Sequence, residues 1–176
     1  GDSGSVERYD PAQDAWEAVA PMGTAREDLG AAVLDDKLYA VGGRAFGTSF
    51  RSAERYDPAL DAWEEVAPMS TAREQLGVAV LDGKLYAVGG SDDDDNSLSS
   101  VERYDPTENA WEEVAPMAEA RDSHGVTVLD GKLYAVGGDR GDTRLSSVER
   151  YDPSVGAWEA VAPMAAARVK AFAVLM

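Results

Sequence analysis

One block of wording recurs four times along this chain: Tyr-Asp-Pro, then Trp, then Ala-Pro-Met, then Ala-Arg, with the tryptophans at Trp16, Trp63, Trp111 and Trp158. The spacing of about 47 residues is the period of stacked or radial repeat architectures, in which one unit cannot bury its apolar face without its neighbours. The repeat constrains the fold before composition does.

Within each complete unit the copies act as an internal alignment. An apolar run opens the unit (Ala31 to Leu34, Val78 to Leu81, Val126 to Leu129), short and continuous as a strand buried on both faces would be. Asp82-Gly83 and Asp130-Gly131 then predict two-residue hairpin turns, because such turns demand positive φ. Asp36 stands in the glycine position of the first unit, at a cost of about 1 kcal/mol. Lys-Leu-Tyr-Ala-Val follows and ends on Gly42-Gly43, Gly89-Gly90 and Gly137-Gly138, which predicts a bulge or a close backbone approach. A variable loop leads to a third strand, Ala53 to Tyr56 in the first unit and Val-Glu-Arg-Tyr in the others, which Asp-Pro stops. A fourth strand runs from the Trp to Ala-Pro-Met. Four short antiparallel strands per unit describe an all-β chain of β-propeller blades.

The double glycine after a strand, the Tyr-Asp-Pro, the following Trp and the Pro-Met before the next unit resemble the Kelch repeat. Ser-Val-Glu-Arg-Tyr-Asp-Pro, Val-Ala-Pro-Met and Leu-Tyr-Ala-Val-Gly-Gly are most similar to the Kelch domains of BTB-Kelch substrate adaptors of cullin ubiquitin ligases. The resemblance covers nearly the whole chain. It implies Kelch-type blades, each a four-stranded antiparallel sheet, in a propeller of about six. Three units are complete, at 26–67, 73–115 and 121–162, while 1–20 holds only the third and fourth strands of a partial blade and 168–176 only a first strand. Joined together, the two ends would still lack a second strand. The expectation for 1–176 is therefore an open arc or fragment of a larger propeller, with self-association of exposed blade faces as a rival.

A formal charge of −17, from 33 acidic against 16 basic residues, argues against nucleic acid and anionic membranes as partners. No apolar run reaches the length of a membrane span, and the absence of cysteine removes disulfides and thiolate chemistry and fits a cytoplasmic location, the one expected, as it equally fits a secreted protein that needs no staple. With His124 as the single histidine, no Ser-His or Cys-His nucleophile can be assembled from sequence spacing, and the Cys, Tyr and His set of copper Kelch-type oxidases cannot be completed without cysteine and with one histidine. Asp92 to Asn96 reads as a solvated acidic tip, since it lacks the glycine and terminal glutamate of an EF-hand loop. No cofactor and no metal are expected.

The recurring Tyr and Trp read as blade packing, and Glu7-Arg8, Glu54-Arg55, Glu102-Arg103 and Glu149-Arg150 as scaffold ion pairs or solvated faces. Arg26, Arg73, Arg121 and Arg168 precede each inner strand, on an edge that the resemblance turns toward a shared pocket. They read either as ligand-carboxylate contacts or as structural groups at the mouth. The next two positions differ between copies (Glu27-Asp28, Glu74-Gln75, Asp122-Ser123, Val169-Lys170), as a recognition surface would. The resemblance adds Arg44, Ser91 and Asp139, which follow the double glycines. The candidate ligand-binding set is thus Arg26, Asp28, Arg44, Arg73, Gln75, Ser91, Arg121, Ser123, Asp139 and Arg168. Its mixed charge favours a mixed or basic partner over an acidic peptide. The expected function is non-enzymatic binding of a protein or peptide, in the setting resembled as the substrate-recognition part of a ubiquitin-ligase adaptor. The alternatives are an epimerase-like, carbohydrate-active enzyme using carboxylates at the blade mouth, and a consensus-like or engineered scaffold without a ligand.

Overall fold

A computed structural model describes residues 4–170. The chain opens with a two-stranded sheet, β1 (Val6–Asp10) and β2 (Ala15–Val19). The first blade contains β3 (Gly30–Leu34) and β4 (Lys37–Val41), a small hairpin of β5 (Arg44–Ala45) and β6 (Thr48–Ser49), then β7 (Ala53–Asp57) and β8 (Ala62–Val66). The second blade is β9 (Gly77–Leu81), β10 (Lys84–Val88), β11 (Val101–Asp105) and β12 (Ala110–Val114). The third contains β13 (Gly125–Leu129), β14 (Lys132–Val136), the hairpin β15 (Asp139–Arg140) and β16 (Thr143–Arg144), then β17 (Val148–Asp152) and β18 (Ala157–Val161). Each blade is a four-stranded antiparallel meander in chain order. The first strand expected at 168–176 falls largely outside the described residues.

The turns follow from the residues in them. Asp82 and Gly83 have φ of 51° and 69°, Asp130 and Gly131 50° and 69°, and Asp35 and Asp36 adopt the same pair at 51° and 59°. Both central positions are left-handed, the geometry whose twist matches the flanking strands. The double glycines mark the expected close approach. A Cβ on Gly43 would sit 2.7 Å from the Glu27 carbonyl oxygen, while the Gly43 N–H donates to the Arg73 carbonyl at 2.8 Å.

The core lies between blades rather than within them. Leu34, Tyr39 and Val41 of the first blade pack with Leu85, Ala87 and Tyr104 of the second. Tyr86, Val88 and Val101 of the second pack with Leu133, Ala135 and Tyr151 of the third. Strand β9 lies between β3 and β13, so it alone meets the expectation of burial from both sides. Strand β3 departs from it, and Val33 is 63% exposed. Among the described residues, no inner strand pairs with the β1–β2 sheet.

Each joint repeats one set of contacts. The Trp63 indole N–H donates to the Ala20 carbonyl at 2.8 Å, Trp111 to Ala67 at 2.8 Å and Trp158 to Ala115 at 3.0 Å. Tyr39 packs on Tyr104 and Tyr86 on Tyr151, with ring centroids 5.9 Å apart in both. In the three complete blades the recurring Glu and Arg each form ion pairs, though not with each other, because neighbours on a strand point to opposite faces. Arg55 reaches Glu64 on the adjacent strand, whereas Glu54 turns inward to Arg26.

Candidate functional site

The linkers between blades build the mouth. Arg73 is held by its main chain to the first blade, with its N–H on the Phe50 carbonyl at 3.1 Å and its C=O accepting from Gly43. Its side chain enters the second blade. One terminal nitrogen donates to the carbonyls of Gly89 (2.9 Å) and Ser100 (3.0 Å), the other to Glu102 at 3.0 Å. Glu102 also accepts the N–H groups of Ser70 and Thr71 at 2.7 and 3.1 Å. Arg26–Glu54 and Arg121–Glu149 repeat this staple at 2.7 and 2.9 Å, with all three arginine side chains fully buried. Of the two readings of Arg26, Arg73 and Arg121, the geometry fits structural groups at the mouth, since their terminal N–H groups face carbonyls and a buried carboxylate. Burial pulls Arg73 below the usual arginine range, and Glu102 opposes that pull. Arg168 differs: it is exposed, with no side-chain partner among the described residues.

Two residues beyond each arginine the chain makes a left-handed turn, with φ of 51° at Asp28, 51° at Gln75, 50° at Ser123 and 49° at Lys170. These turns join into one row. The N–H of Gln75 donates to the Asp28 carbonyl (2.8 Å), Ser123 to Gln75 (2.9 Å) and Lys170 to Ser123 (2.7 Å). The Ser123 hydroxyl also donates to the Gln75 side-chain oxygen at 2.9 Å. The row rims a cavity of about 520 Å³ whose wall includes Gly30, Gly77, Gly125 and His124. The structure thus gathers Asp28, Gln75 and Ser123, and it adds Lys170, which sequence reasoning left out of the site. The signal for Lys170 was its register with the other three.

One position back, Glu27, Glu74 and Asp122 form backbone bridges to Arg44, Ser91 and Asp139, the residues after the double glycines. Ser91 contributes through its main chain, at 2.8 and 3.0 Å to Glu74. The Arg44 side chain reaches Glu27 at 3.0 Å, Glu74 of the next blade at 3.3 Å and Asp28 at 3.9 Å. Toward the third blade the balance changes. Asp122 accepts the Ser97 hydroxyl at 2.7 Å and shares its field with Asp139 and Asp95, without an ion pair among the described residues. Burial raises the Asp122 carboxyl above the usual range, Asp139 and Asp95 add to the rise, and Ser97 and Ser123 oppose it. Burial likewise raises Glu74; Arg44 opposes, and Asp28 and Asp95 add.

His124 occupies the place of Leu29 and Leu76 in the other copies. It is buried against Gly77, Gly89 and Gly138, and neither ring nitrogen has a hydrogen-bond partner among the described residues. Burial, with Arg121 adding, pulls its pKa from 6.5 down to about 3, so the ring fills space as a neutral group.

The profile of the family described as "Kelch motif" matches residues 25–70, 72–118 and 120–165. Among curated relatives, human Kelch-like protein 5 is 58% identical over 41 residues, 23% of this chain and 5% of that protein. Mouse Kelch-like protein 1 is 55% identical over 38 residues, 22% of this chain and 5% of that protein. The match thus spans a small part of those relatives. The solved structure of YjhT superposes with a TM-score of 0.83 at 18% identity, covering 93% of this chain and 60% of that one. That likeness shows the fold. With three motif matches lying on the three four-stranded blades, the chain belongs to the Kelch-motif family.

Proposed function

We propose that the chain is a non-enzymatic binding module whose mouth, at Asp28, Gln75, Ser123 and Lys170, receives a protein or peptide partner through a basic side chain. One observation carries the reading: the residues in which the copies disagree hang on a continuous row of main-chain hydrogen bonds around a cavity. Side chains there can change while the frame stays. Asp28, Glu74, Asp95, Asp122 and Asp139 gather at this face with Arg44 as the counter-charge on one side. A lysine or arginine from a partner would favour the ionised forms of Glu74 and Asp122, which burial, with the neighbouring carboxylates adding, disfavours. The Kelch-like relatives support protein binding in general, and a substrate-recognition role in a ubiquitin-ligase adaptor is part of the same proposal.

Fluorescence polarisation with length-matched basic, neutral and acidic peptides tests it. Basic peptides bind best, and Gln75→Arg or Ser123→Arg weakens them about tenfold, which is roughly 1.4 kcal/mol. Affinity falls on acidification from above the ordinary carboxylate range, because Glu74 and Asp122 take up protons early. Preference for acidic peptides would overturn the reading. The raised Asp122 carboxyl at the mouth favours the carbohydrate-active enzyme as a second reading. Glycan turnover abolished by Asp28→Asn or Asp122→Asn would put it first.

A further inference from the structure

The two ends of the described chain carry opposite halves of one joint. At the joint between the first and second blades, four contacts recur together: Tyr39 on Tyr104, the Trp111 indole on the Ala67 carbonyl, the Ala67 N–H on Asn109, and the Arg73–Glu102 staple. The next joint repeats three of them, with Tyr86 on Tyr151, Trp158 on Ala115 and Arg121 on Glu149; Gly156 stands where Asn109 would be.

Continuing the register one step beyond the third blade leaves Tyr134, the Ala162 N–H and C=O, and Arg168 as receiving groups. Ala162 and Arg168 are exposed, and Tyr134 is half-buried where Tyr39 and Tyr86 are buried. Stepping back before the first blade leaves Tyr9, Trp16, Asp14 and Glu7 as inserting groups. Tyr9 and Trp16 are 43% and 67% exposed, and Glu7 is exposed where Glu54, Glu102 and Glu149 are buried. The Asp14 carboxylate already accepts the Tyr9 hydroxyl at 2.5 Å, as Asn109 accepts that of Tyr104 at 2.8 Å, so the inserting side is set in its joint-forming geometry.

We propose that the last blade of one copy of this chain seats the β1–β2 sheet of a second copy, head to tail. In that joint Tyr134 meets Tyr9 of the second copy, its Trp16 indole donates to the Ala162 carbonyl, and its Asp14 accepts the Ala162 N–H. Arg168 pairs with its Glu7, while the N–H groups of Ala165 and Ala166 take the places that Ser70 and Thr71 hold on Glu102. Charge and hydrogen-bond complementarity both select this occupant: the receiving end offers the Arg168 cation with the Ala162 N–H and carbonyl, and the inserting end the Glu7 and Asp14 carboxylates with the Trp16 indole N–H. The contact is heterologous, so it adds copies in one direction until the rotation closes.

Sedimentation of the full chain over a concentration series tests the joint. The expected result is reversible association above the 18.7 kDa monomer. Trp16→Ala weakens it at least about tenfold, as do Glu7→Arg and Arg168→Glu made singly. Mixing the Glu7→Arg and Arg168→Glu chains restores association in alternating order, because every joint between unlike chains then pairs opposite charges, which lost folding would not produce. A monomer at every concentration overturns the proposal, including a monomer whose Trp16 fluorescence reports burial by its own chain. Association with equal affinity in all variants overturns it too.

Discussion

The hairpin carrying Tyr9 and Trp16 and the hairpin carrying Tyr104 and Trp111 are nearly the same object internally. Their Tyr–Trp centroids lie 5.4 and 5.2 Å apart, and each carries the cross-strand ion pair, Arg8–Glu17 or Arg103–Glu112. Their surroundings differ completely, with Tyr9 at 43% exposure and Tyr104 at 1%. Local geometry in this fold is written in the hairpin, whereas burial comes from the neighbouring blade. Equal residues therefore carry unequal energies.

Equal substitutions at the two places sharpen or break that comparison. The largest effect is expected for Arg73→Ala, which strands the Glu102 carboxylate in the core and costs about 3–5 kcal/mol in urea titrations. Arg8→Ala, whose pair is exposed, leaves the unfolding midpoint within experimental scatter. A comparable loss at both sites would break the comparison. Trp111→Ala comes next at about 2–4 kcal/mol, since it removes a half-buried ring and its bond to Ala67, against less than about 1 kcal/mol for Trp16→Ala in dilute solution.

Within the interior, His124→Leu restores the residue type of the other copies and raises stability by about 1–2 kcal/mol, because two buried nitrogens without partners are removed. The pH dependence fixes the sign. The unfolded chain takes up the His124 proton near 6.5, while the folded chain resists until about 3, so His124 costs stability as pH falls through that window. Thermal melts of His124→Leu should show a shallower acid-side decline. The smallest effect is Asp36→Gly, which relaxes a left-handed position and gains about 1 kcal/mol or less, read as a small rise in Tm.

Strands and turns were legible because each is fixed within a few residues: Asp-Gly, Gly-Gly and Asp-Pro act locally, and recurrence repeats the message. The staples were not. Arg73 and Glu102 are 29 residues apart in sequence, and an arginine that recurs to hold a frame looks the same as one that recurs to hold a ligand. The mouth was partly legible, because Asp28, Gln75 and Ser123 stood out as disagreements on a constant background. Asp95 entered that face only through a loop whose path the sequence does not encode by period. His124 was visible as a substitution for leucine, but its lack of partners depends on which blade surfaces close over it.

The row of left-handed turns at the mouth also restricts its own vocabulary. Asp28, Gln75, Ser123 and Lys170 all stand at φ near 50°, a conformation that β-branched side chains tolerate poorly. Polar, unbranched residues pass this filter, so the surface can be rewritten in charge and hydrogen-bonding character more freely than in aliphatic shape. Relatives built on the same row should differ in their electrostatic preferences before they differ in the greasiness of their pockets, and selectivity in such a family would diverge first by sign.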